Sequence, residues 1–196
     1  MDYKKIYNTL YKEGYHITVP TNIGAKFVFD IIDNYDFKTV LDIGCSQGNA
    51  VELYNVNGKQ AYGIDVSEIA IKEAHKLGNN TCKQASVLNI PFKNDEFDLV
   101  VTSDVLEHLD PIDISKAIDE ICRVAKNIII AKIATKKEGN KTWMKLLKAK
   151  YPKMVKNIDN LHMSVYKHNK WREFFEKTGK VELVEKKGKL LVFRKI

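Results

Sequence analysis

The chain has 196 residues, 44% hydrophobic and 29% charged, with a net charge of +7; that composition is typical of a soluble globular protein, and the length suits one domain burying about 70% of its unfolded surface. No apolar run approaches the roughly 18 residues of a membrane span, and the opening Met1-Asp2-Tyr3-Lys4-Lys5 lacks the apolar core of a signal peptide, so the expected location is cytoplasmic. Cys45, Cys82 and Cys122 are widely spaced with no C-x-x-C pair, which indicates neither a disulfide framework nor zinc.

Charge is unevenly placed. From residue 123 onward 21 Lys/Arg stand against 6 Asp/Glu, a balance of +15, whereas the first 122 residues carry −8. Such asymmetry points to an anionic partner for the C-terminal half, whether an anionic substrate, nucleic acid or a membrane surface. A lysine-rich solvated face explains it equally well.

In chain order, Tyr3, Ile6, Tyr7, Leu10 and Tyr11 recur at helical spacing, and Gly14 ends the pattern. Pro20 biases Val19 away from helix. Thr21 or Asn22 then opens a second helix with Ala25, Phe27, Val28, Ile31 and Ile32 on its apolar face. Val40, Leu41 and Ile43 read as a short buried strand broken by Gly44, and Gly48 opens a helix carrying Val51, Leu53 and Tyr54. A strand over residues 60–65 ends in Asp65. Ser67 caps the next helix, which buries Ile69, Ala70, Ala74 and Leu77 and closes at Gly78. Residues 81–85 form the third strand, Asn94-Asp95 a turn, and residues 97–102 a fourth strand apolar enough to be central. A helix with Ile114, Ala117, Ile118, Ile121, Cys122 and Val124 on one face leads to a buried fifth strand at residues 127–131. Trp171, Phe174 and Phe175 mark a last helix ended by Gly179, and residues 181–184 and 190–193 close as a hairpin around Lys186-Lys187-Gly188-Lys189. No repeat or linker interrupts this order, which describes a single domain, α/β, with a doubly wound and mostly parallel sheet.

A strand feeding a glycine turn feeding a helix lets a ligand approach bare backbone at a helix N-terminus. Asp65 ends the following strand, where a carboxylate can accept hydrogen bonds from both hydroxyls of a ribose. The loop reads Gly44-Cys45-Ser46-Gln47-Gly48, with Ser46 where a pyrophosphate fingerprint has its second glycine. No lysine follows Gly48 as a phosphate-cradling loop requires. A nucleoside site without phosphate machinery suits a nucleoside cofactor that has no phosphate.

On these residues the chain resembles the class I S-adenosylmethionine-dependent methyltransferases, in particular the small-molecule "type 11" and ubiquinone-biosynthesis kind. Val40 to Gly48 is similar to their first motif and Gly63-Ile64-Asp65 to their acidic second motif. Ile90-Pro91-Phe92 and the run from Phe97 through Ser103-Asp104-Val105-Leu106-Glu107-His108-Leu109 extend the likeness, which covers roughly residues 38–132. The resemblance implies a Rossmann-like sheet of seven strands with an antiparallel hairpin at its edge, and S-adenosyl-L-methionine as cofactor. It implies that Asp42, Gly44, Cys45 and Gly48 lie at the methionine end, Asp65 and Val66 at the ribose, Ser86 and Val87 at the adenine, and Ser103 beside the cofactor. The family usually has an acid near position 86, so Ser86 is a departure that leaves adenine an uncharged contact or the Val87 backbone. The resemblance also implies that residues 1–36 form a helical lid.

Residues 136–160 depart from the family pattern as a basic helical insertion near the acceptor site, with Trp143, Met144, Leu146, Leu147 and Tyr151 at helical spacing among lysines. Such a helix fits a substrate cleft, a phosphorylated substrate or an anionic membrane. A sulfonium donor is already activated, so transfer needs alignment rather than a covalent intermediate or a metal, and alignment can contribute about 7–11 kcal/mol. His108 is the candidate base, because a histidine near its reference pKa suits proton removal. Asp104, His108, Trp143 and His162 are the candidate acceptor contacts. The reading is methyl transfer to a small, possibly anionic acceptor such as a sugar, lipid-linked or quinone-like molecule, with no oligomeric state specified. Methylation of RNA or protein, and cofactor binding without turnover, are the alternatives.

Overall fold

The computed structural model describes residues 1–12, 14, 21–135 and 161–196. Helix α1 is Tyr3–Lys12 and α2 is Thr21–Asn34. Strand β1 (Thr39–Ile43), α3 (Asn49–Val56), β2 (Gln60–Asp65), α4 (Glu68–Lys76) and β3 (Cys82–Gln84) alternate as expected of parallel units. After β4 (Phe97–Ser103) come a 3₁₀ turn (Leu106–His108), α5 (Ile114–Val124), β5 (Ala125–Lys132), α6 (His168–Glu176) and the hairpin β6 (Val181–Lys187) and β7 (Leu190–Lys195). The proposed basic insertion, with Trp143, lies outside the described residues.

The strands form one seven-stranded sheet in the order β3-β2-β1-β4-β5-β7-β6. β1 to β5 pair in parallel, and β7 enters antiparallel between β5 and β6. This is the Rossmann-like methyltransferase fold that the sequence implied, hairpin included. Both sheet faces are covered, so the central strands are mostly apolar and successive residues serve opposite layers. Leu41, Val100 and Ile129 join one layer with Ile118 and Ile121 of α5 and Trp171 and Phe175 of α6. Their neighbours Val40, Leu99, Val101 and Ile130 join the other, with Val28 and Ile31 of α2 and Val51 and Tyr54 of α3. Phe175 stacks on Phe193 at 4.3 Å between ring centroids, tying α6 to the hairpin. No described helix is long and apolar enough to cross a membrane.

Two polar devices fix the ends of the parallel strands. Asp98 accepts the N–H groups of Lys38 and Thr39 at 3.0 Å, and the Thr39 hydroxyl oxygen accepts the Asp98 N–H at 2.9 Å. The Arg123 guanidinium donates to Glu120 and to the carbonyls of Phe92 and Ile90, and Glu120 accepts the Ile90 N–H at 2.8 Å. The segment before β4 is thereby bound to α5.

Chain order reverses between β2-β1 and β4, and a crevice at the carboxyl ends of the strands is where such sheets bind ligands. Helix α1 spans those ends. Asn8 Oδ1 accepts the Ser67 hydroxyl at 2.9 Å just after β2. The Tyr3 hydroxyl donates to Asp113 at 2.7 Å and accepts the Asp110 N–H at 2.8 Å beyond β4. Ser67 also caps α4 as its type and position predict, accepting the Ala70 N–H at 3.2 Å. Ser67→Ala removes both bonds and is expected to cost about 1–2 kcal/mol. Thermal unfolding should register this as a fall in Tm of about 2–8 °C for a chain of this size.

Candidate functional site

The turn after β1 is built on residues with left-handed backbone: Gly44 at φ +80°, Ser46 at +53° and Gly48 at +79°. The Gly44 and Cys45 N–H groups both donate to the Ile64 carbonyl, at 2.8 and 3.0 Å, which folds the turn onto the end of β2. A Cβ on Gly44 would lie 2.3 Å from Val105 Cγ2, so this glycine also admits the loop that follows β4. Gly63 serves the same turn, because a Cβ there would lie 2.7 Å from Cys45 Sγ. Cys45 is thus a small buried residue filling the space that Gly63 leaves, and burial beside Cys82 holds its thiol well above the usual range. Asn79 is a participant that the sequence did not flag. Its amide donates to the Gln47 carbonyl at 3.0 Å and holds the turn from below Gly48.

Asp42 and Asp65 lie on adjacent strands, Asp65 two residues beyond Gly63, which pairs with Asp42, and they are 8% and 7% exposed. Asp65 Oδ2 accepts the Ser46 N–H at 3.0 Å and Oδ1 accepts the Ser67 N–H at 2.8 Å. Each oxygen keeps a second lone pair for a ligand hydroxyl. Burial raises Asp65 to about 6 against these hydrogen bonds, and burial plus the Asp65 charge raises Asp42 to about 7. Among the described residues no cation contributes to either group. Val66, half-buried, follows Asp65, and its carbonyl accepts from Gln84 at 3.3 Å. Beyond β3, Ser86 uses its hydroxyl oxygen to accept the Leu88 N–H at 3.2 Å, and Val87 beside it is buried. The structure therefore gathers Asp42, Gly44, Cys45, Gly48, Asp65 and Val66 around one turn, with Ser86 and Val87 at the end of the next strand.

The remaining candidates gather at the end of β4. Ser103 donates to Asp104 at 3.0 Å, and Lys132 of β5 donates to Asp104 at 2.7 Å. Asp104 is left-handed, at φ +56°. Glu107 and His108 lie in a single 3₁₀ turn with Leu106, and α5 begins only at Ile114. Glu107 is fully buried, accepting the Ala134 N–H at 2.8 Å through Oε1, and burial raises its carboxyl to about 8. His108 Nδ1 lies 2.9 Å from the Leu161 carbonyl, which fixes the proton on Nδ1 and leaves the Nε2 lone pair. Burial, with His162 as a neighbour, lowers His108 to about 4. A base that weak removes protons less effectively than one near 7. The His108 and His162 rings meet edge-on at 4.6 Å, and Tyr7 of α1 stands edge-on to His108 at 6.2 Å. One ligand-capable atom each from Glu107, His108 and His162 lies within 4.8 Å of the others. The sequence grouped His108 with His162 as acceptor contacts, and the structure brings those two together; the sequence assigned no metal and did not link Glu107 to His162.

The family model described as "Methyltransferase domain" matches residues 41–128, the span from β1 into β5 that holds Asp42, Asp65, Glu107 and His108. The chain is 32% identical over 123 residues to an uncharacterised protein of Methanocaldococcus jannaschii, covering 63% of this chain and 44% of that protein. It is 35% identical over 96 residues to norajmaline N-methyltransferase of Rauvolfia serpentina, covering 45% of this chain and 32% of the plant protein. The chain thus spans half or less of these curated relatives. Among solved structures, magnesium protoporphyrin IX methyltransferase from Synechocystis with bound S-adenosylhomocysteine superposes with a TM-score of 0.71 at 17% identity, covering 98% of each chain. A Methanococcus maripaludis protein described as a methyltransferase superposes at 0.68 with 16% identity, covering 94% of this chain and 90% of that one.

The two uncompensated carboxylates make a pH prediction. Asp42 has a folded pKa near 7 against an ordinary 3.8. The folded state therefore holds a proton that the unfolded state has lost, and this stabilisation fades as pH rises from about 4 to about 7. Asp42→Asn should stabilise the ligand-free protein at pH 8 by on the order of 2 kcal/mol. Urea unfolding at pH 8 and pH 4.5 checks it: the advantage should shrink at the lower pH.

Proposed function

We propose that the protein is an S-adenosylmethionine-dependent methyltransferase acting on a small-molecule acceptor. The observation that carries the cofactor reading is the pair of buried carboxylates at the carboxyl ends of β1 and β2, which no cation balances among the described residues. Buried charge without a partner is costly, and the cofactor's ammonium and sulfonium would supply the missing positive charge. The donor set fits the rest of the molecule: the Asp65 oxygens have lone pairs left for a ribose diol, and the Gly44–Gly48 turn is closed by its own backbone without phosphate-binding side chains.

When bound, the cofactor supplies a methyl group on a positively charged sulfur. The chain's part is to hold and to exclude. Asp42 would face the cationic end and Asp65 the ribose, while Val66, Ser86 and Val87 line the way to the base. Helix α1, anchored at Ser67 on one side and at Asp110 and Asp113 on the other, would close over the crevice and keep water out. Ser103, Asp104 and His162 stand where an acceptor would enter from the β4 side. The small-molecule reading draws support from the relatives named for norajmaline and magnesium protoporphyrin IX. The positive balance of the C-terminal half suits an acceptor with negative charge.

Calorimetric titration with S-adenosylmethionine tests the cofactor assignment. Asp65→Ala removes the carboxylate from two N–H groups and from the ribose, and affinity should fall about 100-fold or more. A variant that binds as tightly as the original chain, or an original chain that does not bind, would sink this reading.

A further inference from the structure

Outside the cofactor turn, one cluster of side chains has bonding capacity that the fold leaves unused. Glu107 is fully buried, yet only Oε1 is engaged, with the Ala134 N–H; Oε2 has no hydrogen-bond partner among the described residues. His162 Nδ1 is likewise buried and without a partner among them. Between the two, His108 donates its Nδ1 proton to the Leu161 carbonyl, so its Nε2 offers a lone pair. A histidine whose second nitrogen is tied to a backbone carbonyl is the usual arrangement of a metal ligand, because that bond fixes tautomer and ring orientation. A purely structural role accounts for Oε1 of Glu107 and for Nδ1 of His108, but for neither orphaned atom. Burying such atoms unpaired costs about 1–3 kcal/mol each.

We propose that Glu107, His108 and His162 form a binding site for a first-row divalent transition cation. One carboxylate and two imidazoles make a borderline-hard donor set that suits Zn²⁺, Fe²⁺, Co²⁺ or Mn²⁺ better than Mg²⁺ or Ca²⁺, which take all-oxygen shells. The ligand-capable atoms lie within 4.8 Å of one another. Ligands about 2.0–2.2 Å from one ion are separated by roughly 3–3.5 Å, so the set closes by an ångström or so on binding. His162 is half-buried, less enclosed than Glu107 and His108. Asp104, within electrostatic reach of all three groups, adds negative charge beside the site. Three protein ligands leave at least one coordination position open, as in catalytic rather than structural sites. The inference stands on this geometry and does not require the methyl-transfer reading.

The probe is Co²⁺, whose visible bands report its coordination. The full chain, stripped with a chelator, is titrated with Co²⁺ and then with Zn²⁺ in competition. One Co²⁺ per chain should bind with a Kd below about 100 µM, with Zn²⁺ displacing it. Azide added to the Co²⁺ form should shift the bands by entering the open position. Glu107→Gln keeps the acceptor for Ala134, and His162→Ala alters a half-buried position; each should weaken Co²⁺ at least about 10-fold, with circular dichroism confirming that the variants are folded. Absence of a saturable site in the original chain, or unchanged affinity in both folded variants, overturns the proposal, and bands indifferent to azide overturn its open position. S-adenosylmethionine titration of the metal-free chain reads the cofactor assignment separately, so the two can fail independently.

Discussion

Two carboxylates on adjacent strands, buried and facing no cation among the described residues, set the terms for the rest of the molecule. Asp42 and Asp65 are held there by the parallel pairing of β1 with β2 and by the turn that brings the Ser46 N–H onto Asp65. A sheet optimised for stability alone would place apolar residues at both positions. Local choices that disagree with burial mark places where a fold serves something other than its own stability. The glycines beside them follow from the same constraint. Gly44 and Gly63 remove the side chains that would otherwise push the turn away from the strand ends.

A second departure from stability lies one strand over, at the end of β4. Glu107, His108 and His162 are brought together by a 3₁₀ turn and a returning chain, and two of their polar atoms are left unbonded among the described residues. The two groups of residues differ in kind. The first carries negative charge awaiting a cationic organic ligand, and the second offers a mixed nitrogen and oxygen donor set. Helix α1 bridges the strand ends between them, touching Ser67 on the one side and His108 on the other.

Most of the sheet was legible in the sequence because strands covered on both faces read as unbroken apolar runs. The misplaced boundaries have local causes. β5 begins at Ala125 rather than at residue 127, since α5 passes straight into it and no glycine or proline marks the junction. β6 continues through Glu185, Lys186 and Lys187, which look like a turn in sequence but are tolerated on an exposed edge strand, where charge discourages further pairing. In the site, Asp42, the glycines and Asp65 were legible because one short segment holds the turn and its neighbour. The partnership of Glu107 with His162 was not, because it depends on where the chain returns after the region between β5 and α6. No local pattern specifies that return. Ser86 likewise shows its use only in three dimensions, where its hydroxyl stabilises its own turn.

That return has a further consequence. Ala134 donates to the Glu107 carboxylate before the stretch at 136–160, and after it Leu161 accepts from His108 while Ser164 donates to the Glu107 carbonyl. Departure and arrival are stapled to the same two residues. The ends stay fixed whatever joins them, and loop closure grows only with the logarithm of length. A change in the number of residues between those two ends therefore need not move Glu107 or His108.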